Sequence, residues 1–238
     1  MALEGRRLIK RYGSRAVVHR LTLTIEPGRI TGLLGPNGAG KTTTFYLLIG
    51  FIAADGGSVF LDETEISSLP FYERARRGIG YLPQEPSVFT RATVRENLDL
   101  ALEWSRLVAN RDSRREELLE EFKLSALRDQ RAGTLSSGER RRLEIARTLA
   151  ASPRYVLLDE PFSGIDPISI ADLQTEIRSL KERGIGVIVT DHNVRDTLSI
   201  IDAGYLIDQG ELIAEGTPAD ILKSPLARRV YLGEGFRA

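Results

Sequence analysis

Cysteine is absent from this chain of 238 residues. It therefore has no disulfide framework, no thiolate chemistry and no cysteine-based metal site. The lack of disulfides suits the cytosol. Methionine and tryptophan occur once each and histidine twice, so each histidine stands out. Charge of one sign is also missing: 33 Lys and Arg balance 33 Asp and Glu. That balance argues against a domain that holds nucleic acid by neutralising phosphates. No apolar run reaches the roughly 18 residues that a membrane span needs. Met1 to Lys10 lacks the apolar core of a signal peptide. Any membrane role is expected to run through a partner chain. There are no internal repeats, low-complexity tracts or long linkers. The length fits one large domain or a domain with a lobe.

What is present is organised around Gly35, Pro36, Asn37, Gly38, Ala39, Gly40, Lys41, Thr42 and Thr43, which fit G-x-x-x-x-G-K-[ST]. The apolar run 30–34 before it reads as a buried strand, and 41–49 after it as a helix stopped by Gly50. Strand, glycine loop and helix form the context this motif requires. Its glycines let backbone N–H groups turn toward phosphate oxygens, and the helix N-terminus adds partial positive charge. Lys41 is expected to reach the β- and γ-phosphates and the Thr42 hydroxyl to ligate Mg²⁺.

In chain order, 3–12 and 16–25 read as a hairpin later joined by 57–62. Tyr12 at its strand end has two readings: ordinary packing, or a platform for an adenine ring with Val17 beside it. Residues 66–77 are helix-compatible, and Gly80 to Gln84 read as a short strand with Gln84 at a loop start. Residues 93–152 are helical in pattern, with Thr93 and Glu96 forming a capping box, and 113–127 an amphipathic helix through Leu118, Leu119, Phe122 and Leu127. This stretch reads as a lobe inserted between strands. Ser136, Ser137, Gly138 and Glu139 precede an expected helix over 140–151, which makes a second anion site at a helix N-terminus. The arginines at 140, 141, 142 and 147 read as a solvated face.

Residues 155–160 form an apolar strand that delivers Asp159 and Glu160 at its carboxyl end, where parallel sheets bind ligands. Asp159 suits a Mg²⁺ shell and Glu160 the polarising of an attacking water. A helix from Pro167 to Arg183 follows. The strand 186–190 leads to His192, either a structural histidine or a γ-phosphate contact. A closing hairpin (205–208 and 211–214) and short helical segments, the last stopped by Gly233, end the chain.

The order phosphate loop, Gln84, Leu135-Ser-Ser-Gly-Glu139, Asp159-Glu160, His192 resembles the ATP-binding-cassette ATPases over the whole chain. The resemblance implies an α/β fold: a P-loop NTPase core with a parallel sheet, an antiparallel β subdomain and an inserted helical lobe. It implies one domain, with 1–85 and 153–238 as core and 86–152 as lobe. It also implies ATP and Mg²⁺ as ligands. Tyr12, Gln84 and His192 become site residues, Gln84 touching Mg²⁺ or the attacking water. Ser136 to Gly138 would complete the ATP site of a second subunit in a head-to-tail homodimer. Tracts such as 42–46, 74–85, 138–142, 161–167, 190–193 and 229–236 are similar to one branch, the cytoplasmic ATPase subunits of bacterial lipopolysaccharide exporters. Branched-chain amino-acid importer ATPases and soluble cassettes of cofactor assembly stay open as alternatives. A nucleotide switch is opposed by Lys41 together with Glu160, and a small-molecule kinase leaves Ser136 and His192 unexplained. That branch places the chain in the cytoplasm, peripheral on the cytoplasmic face of the inner membrane, bound to transmembrane subunits near Phe89 and Arg91. One departure is Ser137 where the family has glycine: a Cβ there restricts the loop if it needs positive φ. Glu139 in place of glutamine is a milder one.

Overall fold

The computed structural model describes residues 1–103 and 108–232. Two sheets organise it. The first is antiparallel, in the order β2-β1-β4-β5, from β1 (Leu3–Tyr12), β2 (Arg15–Ile25), β4 (Gly56–Leu61) and β5 (Thr64–Glu65). The second has six strands in the order β10-β9-β3-β8-β7-β6: β3 (Ile30–Leu34), β6 (Ile79–Leu82), β7 (Tyr155–Asp159), β8 (Gly186–Thr190), β9 (Ala203–Asp208) and β10 (Glu211–Gly216). Within it β9, β3, β8, β7 and β6 run parallel, and β10 closes the edge antiparallel to β9. This is the α/β architecture expected from the sequence.

All residues of β3, β7 and β8 are buried, as strands covered on both faces must be. Their alternation separates two cores. Val156, Leu158, Val187 and Val189 pack with helices α5 (Ser137–Leu149) and α6 (Pro167–Glu182) through Ile145, Leu149, Leu173 and Ile177. Tyr155, Leu157 and Ile188 face the antiparallel sheet and α1 (Lys41–Ile49), meeting Phe45, Leu48, Leu3 and Leu8. Arg74, on α2 (Phe71–Arg76), ties α1 down from behind. Its guanidinium donates to Leu47 O and Leu48 O, both at 2.8 Å, in the last turn of α1. Burial lowers its pKa to about 10.

Helices α3 (Val94–Glu103), α4 (Arg111–Glu121) and α5 lie between β6 and β7 in the chain. Thr93 and Glu96 make the expected reciprocal cap: Thr93 N–H donates to Glu96 Oε2 at 2.7 Å and Glu96 N–H to Thr93 Oγ1 at 3.1 Å. Four expectations need correction. Helix α5 begins at Ser137 rather than Arg140, because Ser136 caps it. Its arginines are not a solvated face: Arg141 is buried, and Arg140, Arg142 and Arg147 are partly covered. Helix α4 ends at Glu121, where Lys123 turns left-handed, and 125–127 form a separate 3₁₀ turn. Helix α2 is confined to 71–76, since Pro70 opens it and the stretch before it supplies carbonyls to Arg74. Gly233, the expected final stop, and the end of the tract to Phe236 lie outside the described residues.

Candidate nucleotide site

Helix α1 starts from Gly40, whose φ of 105° is left-handed, and no side chain caps it. A Cβ at Gly40 would stand 2.5 Å from Val17 O, and one at Gly35 2.1 Å from Ile207 O. Glycine at these two places is a condition of the loop closing against β2 and β9. The first amides of α1 are left to whatever enters the cleft. The Lys41 ammonium folds back over the loop, donating to Gly35 O at 2.9 Å and Pro36 O at 3.0 Å. Burial lowers its pKa, while Glu160, Asp159 and Asp191 pull it the other way.

A cavity of about 620 Å³ opens over this loop. Asn37, Gly38, Gly40, Lys41, Thr42 and Thr43 form its floor, Val17 one wall, and Gln84, Glu160, Ser163 and His192 the opposite side. The last four come from three separate loops, and two of them, Gln84 and His192, converge on the Glu160 carboxylate. Gln84 Nε2–H donates to Glu160 Oε2 at 2.8 Å, and His192 Nδ1 lies 3.3 Å from the same oxygen. Glu160 itself has a left-handed φ of 46°, a sparsely populated conformation for a residue with a Cβ.

Asp159 sits behind Glu160, 1% exposed. Tyr81 O–H donates to its Oδ2 at 3.3 Å, while its Oδ1 is buried without a partner. Burial, with Glu160 alongside, raises its pKa to about 6, against the pull of Tyr81, Thr42 and Lys41. A buried, orphaned carboxylate oxygen beside the Thr42 hydroxyl fits the needs of a divalent cation. Among the described residues no three His, Cys, Asp or Glu side chains form a metal cage of their own.

The remaining expected residues stand apart. Tyr12 is 54% exposed and outside the cavity lining, its ring 5.7 Å from the Lys10 ammonium. Ser136 to Glu139 form the N-terminus of α5 and do not line the cavity, although Ser137 shares a neighbouring hollow with Gln84 and Ser163. Ser136 Oγ accepts Glu139 N–H at 3.3 Å, and the Glu139 carboxylate accepts Ser136 N–H at 2.8 Å and its hydroxyl at 2.7 Å. Ser137 is the first helical residue and is not among the left-handed positions, so its Cβ strains nothing here. Phe89 is 52% exposed, with the Arg147 guanidinium 4.8 Å from its ring centroid. Its backbone is fixed by the buried Asn97, through Phe89 N–H to Oδ1 at 2.9 Å and Nδ2–H to Phe89 O at 3.0 Å.

Sequence reasoning missed Arg141. From α5 its guanidinium donates to Pro83 O at 3.0 Å, Asp159 O at 3.0 Å, Glu160 O at 3.1 Å and Pro161 O at 3.2 Å. It also pairs with Glu144 at 2.9 Å, whose other oxygen accepts Ser87 N–H at 2.7 Å. One side chain thus joins the Gln84 loop, the Glu160 loop and the lobe. Ser163 was missed as well, and its only signal was its place three residues after Glu160.

Residues 18–163 match the ABC transporter family. The chain belongs to that family. As a member it is an ATPase whose hydrolysis is coupled to transport. Residues 211–237 match a segment named for branched-chain amino acid ATP-binding cassette transporters. The lipopolysaccharide export system ATP-binding protein LptB of Escherichia coli K12 is 52% identical over 237 residues, covering 99% of this chain and 98% of the relative. The Haemophilus influenzae protein of the same name is 50% identical, with the same coverage. Among solved structures, an ATP-binding cassette of an ABC transporter in its ADP conformation superposes with a TM-score of 0.87 at 29% identity, covering 98% of this chain and all of that one.

Proposed function

We propose that this chain is the ATP-hydrolysing subunit of a lipopolysaccharide exporter, working as a homodimer on the cytoplasmic face of the inner membrane. The observation that carries this reading is the 52% identity to the lipopolysaccharide export ATPase of E. coli across nearly the full length of both chains. The branched-chain importer reading draws on residues 211–237 alone, a stretch that the alignment with the export ATPase also covers. Core and lobe act as two parts of one domain, with the lobe at 86–152.

ATP supplies the phosphoanhydride bond, and Mg²⁺ bound with it draws charge off the phosphates. Asp159 and the Thr42 hydroxyl would hold the cation, with Gln84 reaching it from its loop. The loop amides from Gly35 to Thr43 and the Lys41 ammonium bind the phosphates, for which Lys41 must leave its two carbonyls. Glu160 takes the proton of the attacking water as that water bonds to the γ-phosphorus and the bond from that phosphorus to the β–γ bridging oxygen breaks, leaving ADP and inorganic phosphate. Gln84 and His192 fix the orientation of the Glu160 carboxylate, and His192 senses the γ-phosphate. Tyr12 stacks on the adenine in the ATP-bound dimer, and Ser136, Ser137, Gly138 and Glu139 present the end of α5 to the nucleotide of the opposite subunit. Phe89 and Arg91 form the contact with the transmembrane subunits, an aromatic anchor beside a cation.

Two measurements test this. The tagged chain, purified from detergent-solubilised membranes, should bring down transmembrane subunits together with lipopolysaccharide. Retrieval of the chain alone, or of an amino-acid importer, overturns the reading. Glu160→Gln should lower hydrolysis by about 10²–10⁴-fold while ATP binding survives, so that dimers accumulate in gel filtration with ATP. Monomers only would rule out the sandwich.

A further inference from the structure

The β1–β2 pair carries three register shifts that the nucleotide site does not use. From Gly5 to Leu8, β1 advances three residues while β2 advances two, from Leu23 to Leu21. Against β4 the same stretch again holds one residue too many, Arg6 to Ile9 against Ser58 to Gly56. Between Leu8 and Lys10 the surplus passes to β2, from Leu21 to Val18. These first two shifts offset one another, and a third, between Lys10 and Arg11, again puts the surplus on β2, from Val18 to Ala16. The left-handed residues within them are Arg7 and Arg20, each with φ 52°. Glycine or asparagine is the usual occupant of such a backbone, and bulges recur where a side chain must be re-aimed.

Both arginines aim at the same place. Arg6, Arg7 and Arg20 line one cavity of about 360 Å³ on the solvent face, with Ser58 and Phe60 beside them. Arg6 lies 4.0 Å from the centroid of the Phe60 ring and donates to Glu4 at 2.7 Å. Among the described residues, Arg7 and Arg20 have no side-chain partner. Gly57 presses on the carbonyls of Arg6 and Arg7, where a Cβ would fall at 2.5 and 2.3 Å, so the bulge cannot relax toward β4. Three guanidinium groups are thus concentrated in one hollow of a chain with no net charge, against the carboxylates of Glu4 on Arg6 and Glu65 on the Ser58 hydroxyl.

The geometry points to a second anion site, distinct from the nucleotide cavity, that takes a phosphate group on either a small solute or a lipid headgroup. Arginine forks match phosphate oxygens in pairs. The site goes beyond the transport ATPase reading, and its failure would leave that reading untouched.

The test uses Lys41→Ala chains, in which the phosphate loop no longer competes. Pyrophosphate is titrated calorimetrically into this background with and without Arg7→Gly/Arg20→Gly. Glycine suits both left-handed positions, so the charge is lost without backbone penalty, and an unchanged melting temperature verifies the fold. Binding should weaken by about 10-fold or more in the glycine variant, and Arg7→Lys/Arg20→Lys should recover part of it. In a second arm, the otherwise wild-type chain is sedimented with phosphatidylcholine vesicles with or without phosphatidic acid. Vesicle binding that needs phosphatidic acid and is lost in the glycine variant assigns the lipid headgroup. Pyrophosphate binding without vesicle binding assigns a soluble phosphate. Equal pyrophosphate affinity and equal sedimentation of the arginine and glycine chains overturn the proposal.

Discussion

Two helix N-termini of this molecule look alike in sequence, as glycine-bearing turns leading into a helix, and differ in how their amides are occupied. The α1 end has no side-chain cap and no acidic residue in its first turn. The α5 end is closed on itself by the Ser136–Glu139 box. Glu139 there already places a carboxylate on the Ser136 amide and hydroxyl, and those two bonds hold its pKa down. The difference separates a standing receptor from a conditional one. The α1 end presents its donors permanently. At the α5 end the Ser136 amide and hydroxyl are engaged by Glu139, so under the proposed sandwich a phosphate would compete with that carboxylate for them.

Four variants break or sharpen this comparison. Lys41→Ala removes the cation of the open end and should lower turnover by about 10²–10³-fold or more, read as ATPase rate together with ATP affinity. Near-normal turnover would show that the α1 end is not the receptor. Arg141→Ala cuts the strut that joins α5 to the loops of Gln84 and Glu160. It leaves Glu144, 3% exposed, unpaired, and should cost about 3–5 kcal/mol of stability, seen as a lower melting temperature. Arg141→Lys should not restore it, because an ammonium cannot reach four carbonyls of two loops at once.

Glu176→Gln probes the seam on which the lobe end rides. Both carboxylate oxygens of Glu176 are buried without partners on α6. Burial raises its pKa to about 7 from 4.5; Arg142 on α5 and Lys123 oppose the rise, and Asp172 and Glu121 add to it. A raised carboxyl pKa means that the folded state binds the extra proton. This group's contribution is fully present below pH 4.5 and is lost as pH rises through about 7. The glutamine variant should therefore be more stable than wild type by about 1–3 kcal/mol above that range, and the gain should vanish in acid. Thermal melts across pH decide it. Smallest is Glu139→Gln. Glutamine keeps the capping box but gives up the charge at the helix end, about 0.3–1 kcal/mol. The ATP-driven dimer should tighten, measured by sedimentation, because a weaker internal competitor is displaced. A looser dimer would mean that Glu139 assists closure.

Where the sequence was legible, the reason was local. The bounds of α1, β3 and β8 follow from short apolar runs punctuated by glycine, and all three match the expected ranges. The cavity floor follows in turn, since one loop supplies it. The start of α5 was hidden although its cap pattern was present, because Ser-Ser-Gly also reads as loop. Arg141 was illegible in principle. Its meaning lies in carbonyls of Pro83, Asp159, Glu160 and Pro161, which only the tertiary fold brings to one helix. The convergence of Gln84 and His192 on one oxygen of Glu160, and the left-handed backbone of Glu160, are likewise products of three loops meeting.

The place of β3 in its sheet sets a timetable for synthesis. The strand that launches the phosphate loop lies between β8 and β9, both made after residue 185. Until they emerge from the ribosome, the hydrogen-bonding edges of β3 have no neighbours, and long-range parallel pairing is slow to form. A nascent chain that already carries the complete phosphate loop therefore cannot yet hold nucleotide. Prematurely ended chains should expose β3 as an unpaired strand and be handed to chaperones or proteases, rather than compete with the intact subunit for ATP.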